Sequence, residues 1–223
     1  MVEKPNTGSC QLCGKSFARA SMGRHLKTCI QSHAQEMPAS AKESGQRFHL
    51  MIEEPHGKQY WLHVAVPAEA PLSLLDSFLR HIWLECCGHM SAFEIGGRGY
   101  SVQPMAEYGE KSMRTKLRQV LEVGQKFSYE YDFGSTTALG LKTVALFEQG
   151  PPKRSVQLLA RNDPPEVACD ACDGQPATVI CTACDPIGEG WLCTACADKH
   201  ECDSEMYLPV VNSPRAGVCA YTG

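Results

Sequence analysis

The sequence predicts an α+β protein in which a small antiparallel sheet and a packed apolar helix are flanked by two cysteine-rich zinc modules. Short runs rich in β-branched and aromatic residues, separated by Gly and Pro, fill the middle of the chain. Between them, the segment from Leu72 to Cys87 has apolar residues at helical spacing. Cysteines gather in C-x-x-C pairs near both ends, which is typical of metal sites and not of a disulfide framework.

Shifts in composition divide the chain into four regions. A cysteine-containing N-terminal segment is followed by a polar stretch, by the apolar middle and, after Pro164-Pro165, by a second cysteine-rich segment. We therefore expect a zinc finger at 1–31, a linker at 32–46, an α+β domain at 47–163 and a double-zinc module with a C-terminal tail at 164–223.

The cysteine content indicates the compartment. The chain of 223 residues has thirteen cysteines, most of them in closely spaced pairs. Thiols arranged for metal binding favour a reducing environment. The N-terminus shows no apolar leader, and no run approaches the roughly 18–20 apolar residues of a membrane span. The expectation is a cytoplasmic protein without a membrane partner.

The net charge of −4 is unevenly distributed along the chain. Residues 1–46 carry a net +3, residues 168–223 carry −6, and the part between them carries −1. Clustered Lys and Arg attract a phosphate backbone, so only the N-terminal region suits nucleic acid. The acidic C-terminal region instead favours a protein partner.

The segment CQLCGKSFARASMGRHLKTC has the spacing of a zinc finger. It resembles a ββα finger whose final His is replaced by Cys, and the predicted ligands are Cys10, Cys13, His25 and Cys29. His25 and Cys29 are four residues apart, on one side of a helix. His33, one turn further along, is the alternative to Cys29. The helix offers few base-reading side chains, so weak nucleic-acid contact and protein docking both stay open.

The middle region predicts a sheet and two helices. Strands are expected at 47–54, 59–66, 93–97, 100–102, 126–134, 139–147 and 155–160, with hairpin turns at 55–58 and 96–99. Besides the helix at 72–87, a shorter helix is expected at 112–122. The adjacent Cys86 and Cys87 would project about 100° apart on a helix. That suits a shared metal badly, so we expect them to be buried core thiols.

Two stretches of the middle region, FEIGGRGYS and EVGQKFSYEYDFGST, resemble the plasmid ORF-three-like domain family, first named from a root-inducing plasmid of the pRiA type. The likeness covers about residues 47–161 and includes Tyr129, Tyr131 and Asp132-Phe133-Gly134. Ser135 stands where the family usually has an acid, and the family's Trp and His do not follow. The resemblance implies a compact α+β unit, a plasmid or mobile-element setting and no established activity.

Two short motifs in this region are incomplete. Asp132-Phe133-Gly134 spells a kinase metal triplet, but the sequence lacks the phosphate loop and the catalytic loop that accompany it in kinases. The segment from Gly96 to Gly99 opens no helix, so it predicts a hairpin turn and not a phosphate cradle.

An acid–base cluster is the remaining catalytic candidate. It would combine carboxylates of the predicted strands with a histidine, from the set Glu94, Glu130, Asp132, His81 and His89. Solvated carboxylates on a strand face and a histidine on a helix surface explain these residues better. No catalytic residue is therefore assigned.

Three further C-x-x-C pairs and a His/Cys tail follow between residues 169 and 202. Each pair puts two thiolates on one tight turn, and the set has eight ligands, enough for two tetrahedral zinc ions. The predicted ligands are Cys169, Cys172, Cys181, Cys184, Cys193, Cys196, His200 and Cys202.

The order of these ligands allows two topologies. Sequential use joins the first two pairs at one ion, whereas a cross-brace joins the first and third pairs and gives the second pair and the tail to the other ion. The segment resembles B-box-type zinc modules, which implies the cross-brace, although its loop from Asp185 to Leu192 is longer than usual there. Cys219 is the alternative to Cys202. The apolar tail from Leu208 either packs back on the module or docks on a partner.

The sequence as a whole predicts a non-enzymatic zinc-binding protein with about three ions. Four protein ligands leave a zinc ion no open position for an activated water. The protein would act as an interaction module for protein and, through its basic finger, for nucleic acid. Two alternatives are a DNA-binding regulator led by the finger and an enzyme with an acidic site in the middle domain.

Overall fold

The computed structural model describes residues 6–36, 45–149, 155–172 and 174–223, which fall into two compact units. The first unit lies within Met1–Leu79 and Met90–Asp163. The second consists of Arg80–His89 and Pro164–Gly223, so two separate stretches of the chain build it.

One ten-stranded sheet dominates the first unit. Its strands are β1 (Thr7–Cys10), β2 (Ser16–Ala18), β3 (Gly45–Glu53), β4 (Trp61–Pro67), β5 (Ser91–Ile95), β6 (Arg98–Ser101), β7 (Lys111–Ser112), β8 (Lys126–Tyr131), β9 (Thr137–Gln149) and β10 (Gln157–Asn162). They lie in the order β2-β1-β10-β4-β3-β9-β8-β5-β6-β7, and all pairs are antiparallel except β6 with β7. The fold is thus sheet with few helices, and the sheet is larger and more mixed than the small antiparallel one expected.

The predicted hairpins form where the sequence places their turns. β3 and β4 pair antiparallel, from Arg47 opposite Pro67 to Glu53 opposite Trp61. β5 and β6 are joined by Gly96 and Gly97 alone, whose φ angles are 59° and 72°. A two-residue turn with positive φ at both positions matches the twist of its strands, and glycine adopts it without steric cost. The Gly-rich segment is therefore a turn.

The N-terminal hairpin is part of this sheet and not a separate finger beside it. β1 pairs with β10, with Gly8 opposite Asn162, and β2 pairs with β1 at the sheet edge. A Cβ atom at Gly8 would lie 2.6 Å from the ring of Trp61, so only glycine lets β1 approach this closely.

Helix α1 (Arg19–Glu36) packs against this end of the sheet. Its residues Met22, Leu26 and Ile30 follow helical spacing and are buried in one cluster with Trp61 and Leu159. Burial of each large apolar side chain contributes about 1.5–3 kcal/mol. The expected linker at 32–46 begins within this helix, and residues 37–44 lie outside the described part of the chain.

The other predicted helices are shorter than expected. Helix α2 (Leu72–Leu79) continues as a π-helical turn, Arg80–Leu84, and ends before the predicted residue 87. The helix expected at 112–122 is wrong: that stretch holds the end of β7 and a 3-10 turn, Leu117–Gln119. No helix in the described residues is long and apolar enough to cross a membrane.

Tertiary hydrogen bonds explain why residues 112–122 do not form a helix. The carbonyl of Met113 accepts from the N–H of Ser73, and that of Thr115 accepts from the N–H of Leu72, both at 2.9 Å. The N–H of Leu117 in turn donates to the carbonyl of Ala70. Backbone groups that an isolated helix would pair internally are thus paired with the chain that leads into α2.

The second unit contains a three-stranded sheet and one short helix. The strands are β11 (Val179–Cys181), β12 (Trp191–Leu192) and β13 (Tyr207–Pro209), in the order β12-β11-β13, and the helix is α3 (Thr194–Ala197). The tail packs back on its own unit: Ser213, Arg215 and Tyr221 are buried. Ser213 Oγ donates to the carbonyl of Trp83 at 2.6 Å, and the backbone N–H of Val210 donates to the carbonyl of Thr178 at 3.1 Å.

Two histidines lie buried side by side on β3 and β4. His49 Nε2 is 2.9 Å from His63 Nδ1, and both side chains are almost fully buried. Burial lowers the pKa of His49 to about 4. Burial, the neighbouring His49 and the guanidinium of Arg19 lower the pKa of His63 to about 3. Both imidazoles are therefore neutral in the folded protein at neutral pH.

We expect the folded state to lose stability as the pH falls from about 6.5 to about 4. In this range the unfolded chain protonates both histidines and the folded chain does not, so each contributes a slope of about 1.4 kcal/mol per pH unit. Denaturant unfolding of the metal-loaded protein at several pH values measures this dependence of the free energy of unfolding on pH. The double variant His49→Gln, His63→Gln should show a flatter pH dependence than a control with His56→Gln in the exposed β3–β4 turn. Equal slopes would contradict the prediction.

Candidate metal centres

Four tight turns place the cysteine pairs. In the pairs at 169–172, 181–184 and 193–196, the backbone N–H of the second cysteine donates to the carbonyl of the first, at 3.4, 3.1 and 3.1 Å. In the N-terminal pair, the carbonyl of Cys10 accepts from the N–H of Gly14 at 2.9 Å. Each turn brings the two thiols of its pair close together.

The four predicted ligands of the N-terminal finger come together in one group: Cys10, Cys13, His25 and Cys29. Their ligating atoms lie within 4.8 Å of one another. The Sγ atoms of Cys10 and Cys29 are 3.9 Å apart, and Cys13 Sγ is 3.4 Å from His25 Nε2. The ring of Phe17 stacks on His25, with 3.9 Å between centroids, and helps to fix its orientation. His33 is not a member of this group.

The eight predicted ligands of the C-terminal module form two groups. One combines the first and third pairs: Cys169, Cys172, Cys193 and Cys196. The other combines the second pair with the tail: Cys181, Cys184, His200 and Cys202. The grouping is that of a cross-brace, and it contains Cys202 and not Cys219.

The distances within these groups suit a tetrahedral ion. A zinc ion with bonds of about 2.3 Å to sulfur and about 2.0 Å to nitrogen sets S···S at about 3.8 Å and S···N at about 3.5 Å. Cys172 and Cys193 are 3.9 Å apart at Sγ, and Cys184 Sγ is 3.7 Å from Cys202 Sγ and 3.4 Å from His200 Nε2. These separations exceed the about 2.0 Å of a disulfide. All thirteen cysteines are free thiols.

The long loop between the second and third pairs is ordered by its own contacts. It begins with a 3-10 turn, Asp185–Ile187, which ends at Gly188. Asp185 Oδ1 then accepts from Trp191 Nε1 at 2.9 Å, and the backbone N–H of Trp191 donates to Asp170 Oδ2 at 2.7 Å. The first bond links the two ends of the loop, and the second joins the end of the loop to the first cysteine pair, although the loop is longer than in B-box-type modules.

Neighbouring thiols in each group have divergent acidities. The backbone N–H of Cys193 leads the contacts that lower the pKa of Cys169 to about 6. The contacts of Cys196 with Cys193 and Cys169 raise its pKa to about 12. In the finger, burial and the charge of Cys10 raise the pKa of Cys29 to about 12. One thiolate thus opposes the ionisation of the next, and a bound divalent cation removes this repulsion.

The acidic candidates of the middle region do not join any group of three or more ligating side chains among the described residues. Asp132 follows β8 with a φ of 64°, and its Oδ1 accepts from the N–H groups of Gly134 and Ser135 at 3.1 and 3.2 Å. This carboxylate therefore stabilises its own turn. Glu94 and Glu130 are exposed on their strands.

The expectation for Cys86 and Cys87 is wrong, because Cys86 is half-buried and Cys87 is exposed. Their Sγ atoms lie in a fourth group, with His89 and Cys219. In the sequence, only the number of cysteines indicates this fourth group. The three predicted groups use ten of the thirteen cysteines and do not include Cys86, Cys87 or Cys219.

Comparison with known proteins identifies a family. A family model described as "Plasmid pRiA4b ORF-3-like protein" matches residues 46–179, which confirms the resemblance carried by the YEYDFG segment. A crystal structure of a protein of unknown function from Methanosarcina mazei Go1 is similar at a TM-score of 0.44 and 14% identity, over 52% of this chain and 67% of that chain. No curated protein matches.

We expect Cys29→Ala to remove one metal ion per chain, because it takes away one of four ligands of the finger group. His33→Ala is the matched control, one helical turn further along α1, and should keep the ion. Native mass spectrometry of the metal-loaded protein counts the ions. Retention in Cys29→Ala together with loss in His33→Ala would restore His33 as the fourth ligand.

We expect cadmium NMR of the cadmium-loaded protein to show the cross-brace directly. One cadmium resonance should correlate with the β-protons of both the 169–172 and the 193–196 pairs, because all four thiolates would share one ion. Correlations that instead link the 169–172 pair to the 181–184 pair would establish sequential topology. The variant Cys172→Ser identifies the resonance, because loss of this ligand should remove that resonance alone.

Proposed function

This chain belongs to the plasmid pRiA4b ORF-3-like protein family, and we propose that it is a non-enzymatic, zinc-binding interaction protein with a protein partner. The family name derives from a plasmid reading frame, so the proposal includes a role in plasmid or mobile-element biology. Thirteen free thiols suit a reducing compartment, and we therefore assign the protein to the cytoplasm.

The closed ligand sets carry this proposal. Each of the three predicted groups has four sulfur or nitrogen donors that lie within 4.8 Å of one another. Such donor sets suit zinc and leave no coordination position for a water or a substrate. The metal would therefore act in folding and presentation of a surface, and not in catalysis.

The charge of the second unit supports a basic protein partner. From residue 168 onward, eight acids face two basic residues. One of these two, Arg215, is fully buried, so Lys199 alone remains at the surface among the described residues of this segment. The surface is consequently more acidic than the sequence count indicates. Nucleic acid would be repelled by such a surface, whereas a Lys/Arg-rich peptide would be attracted.

Two exposed apolar side chains on this acidic surface could pack directly against a bound peptide. Ile187 is 71% exposed and Met206 is 44% exposed. Both belong to segments bonded to the second cysteine pair: the N–H of Ile187 donates to the carbonyl of Cys184, and the carbonyl of Met206 accepts from the N–H of Thr182. Flexible or aliphatic side chains within a charged rim are a usual arrangement for peptide contact.

The N-terminal finger supports nucleic-acid binding less well. The guanidinium of Arg19 is paired with Glu53, and the apolar face of α1 is packed in the core of the first unit. Arg24 and Lys27 remain exposed on the helix. Together with Lys15, which is exposed just before β2, these cations give a phosphate backbone only weak, salt-sensitive attraction. Nucleic acid is therefore the second candidate.

Zinc content tests the metal part of the proposal. Removal of one ligand from each predicted group, in Cys13→Ser, Cys172→Ser and Cys184→Ser, should each lower the zinc count by one relative to the parent protein. Chelation of all zinc should unfold the second unit, and near-ultraviolet circular dichroism of its tryptophans, Trp83 and Trp191, should report this unfolding. Fewer than two zinc ions per parent chain would refute the proposal.

Fluorescence anisotropy with labelled probes tests the partner class. A Lys/Arg- and Leu-containing peptide should bind the zinc-loaded protein, and an acidic peptide of equal length should not. The double variant Ile187→Ser, Met206→Ser should weaken peptide binding about tenfold while it keeps its zinc. Tyr108→Ser, an exposed aromatic of the first unit, is the control. Tighter binding of duplex or single-stranded DNA than of the basic peptide would favour the nucleic-acid candidate instead.

A further inference from the structure

A fourth group of metal-ligating side chains lies in the second unit, on two segments far apart in sequence. Its members are Cys86, Cys87, His89 and Cys219, with all ligating atoms within 4.8 Å of one another. Cys87 Sγ is 3.7 Å from Cys219 Sγ, which lies 3.6 Å from His89 Nε2. A tetrahedral zinc ion requires about 3.8 and about 3.5 Å for such pairs. The group therefore has the dimensions of the three predicted ones.

The backbone around residue 86 lets two adjacent cysteines face one point. The π-helical turn ends at Leu84, so Cys86 and Cys87 lie in a bend and not on a helix. The N–H of Gly88 donates to Glu85 Oε1, and Arg80 Nη2 donates to the carbonyl of His89, both at 2.6 Å. These contacts fix the bend, and the 100° separation of neighbours on a helix does not apply to it.

The other segment presents its ligand from a strained position. Cys219 has a φ of 57°, one of three positive values at non-glycine residues in the described chain. A left-handed conformation is unfavourable for a non-glycine residue, because its Cβ atom comes too close to the following carbonyl oxygen. Strain of this kind persists where surrounding contacts impose it, and it commonly marks a functional site. Here it directs the thiol towards Cys87 and His89.

A buried positive charge adjoins the group. Arg215 is fully buried, and its Nη2 lies 3.5 Å from Cys86 Sγ. Three thiolates, one neutral imidazole and one Zn²⁺ ion have a net charge of −1. The guanidinium offsets that charge, and a buried cation in turn requires such a counter-charge.

We propose that Cys86, Cys87, His89 and Cys219 bind a fourth zinc ion, which fastens the C-terminal segment to residues 86–89. On binding, three thiol protons are released to solvent, three zinc–sulfur bonds and one bond to His89 Nε2 form, and no oxidation occurs. The sulfur-rich donor set selects zinc over magnesium or calcium. The four groups together use all thirteen cysteines of the chain.

Exposure distinguishes this site from the other three. Each predicted group contains at least one buried cysteine, whereas here Cys87 and Cys219 are exposed and Cys86 is half-buried. A chelator reaches such a site first. The fourth ion would therefore be the first to leave, and the C-terminal segment would be released while the other groups stay loaded.

Native mass spectrometry of the full zinc-loaded chain, after dialysis to remove loosely bound metal, tests the proposal. The parent protein should hold four zinc ions. Cys219→Ser, Cys87→Ser and His89→Ala should each hold three, whereas His81→Ala, an exposed histidine on the same segment, should hold four. In the cobalt-loaded protein, Cys219→Ser should reduce the thiolate charge-transfer absorption by about a quarter if the whole site is lost, since three of thirteen cobalt–sulfur bonds disappear.

The same measurements can also contradict the proposal of a fourth zinc site. Three ions in the parent protein that persist in Cys219→Ser would exclude the site, as would a Cys87–Cys219 disulfide found by mass in protein purified under reducing conditions. Loss of an ion in His81→Ala as well would show that the count reflects general destabilisation. The three predicted groups have their own variants, so failure here is distinguishable from failure of the proposed function.

Discussion

The convergence of thiol groups is the constraint on which the second unit depends. One of its buried clusters consists of Cys169, Cys181, Leu192 and Cys193, so cysteines there take the places that aliphatic side chains have in an ordinary core. A unit of this size buries too little apolar surface to be stable by packing alone. A structural zinc ion contributes roughly 10–16 kcal/mol in finger peptides, which is of the size required. Under the proposed function, folding and metal occupancy of this unit are one equilibrium.

The first unit is stabilised differently. Its sheet buries large side chains, among them Trp61, Phe93 and Tyr129. The buried carboxylate of Asp76 accepts hydrogen bonds from Tyr129 at 2.8 Å and from Ser91 at 2.6 Å, so its burial is compensated. Even the finger contributes packing here, because the apolar face of α1 completes the core. Under the proposed function, loss of the finger metal would thus loosen one end of a sheet that other contacts hold together.

Local patterns in the sequence were sufficient for much of the fold and for three ligand groups. The C-x-x-C pairs and the Gly96-Gly97 turn are decided by a few neighbouring residues, and sequence reasoning identified them. It missed the pairing of β1 with β10 and the loss of the helix at 112–122, because distant backbone groups decide both. It also missed the partnership of Cys87 with Cys219, which are 132 residues apart. A helical rule applied to Cys86 and Cys87 failed because the helix ends before them.

The second unit takes its first ten residues, Arg80–His89, from the middle of the chain that builds the first. No single cut therefore separates the units, and a fragment that ends at residue 163 would keep Cys86, Cys87 and His89 without Cys219. As a consequence for evolution, the cysteine-rich unit cannot be transferred to another protein as one continuous segment. Any recombination that moved residues 164–223 elsewhere would leave behind a part of its own core, including Trp83.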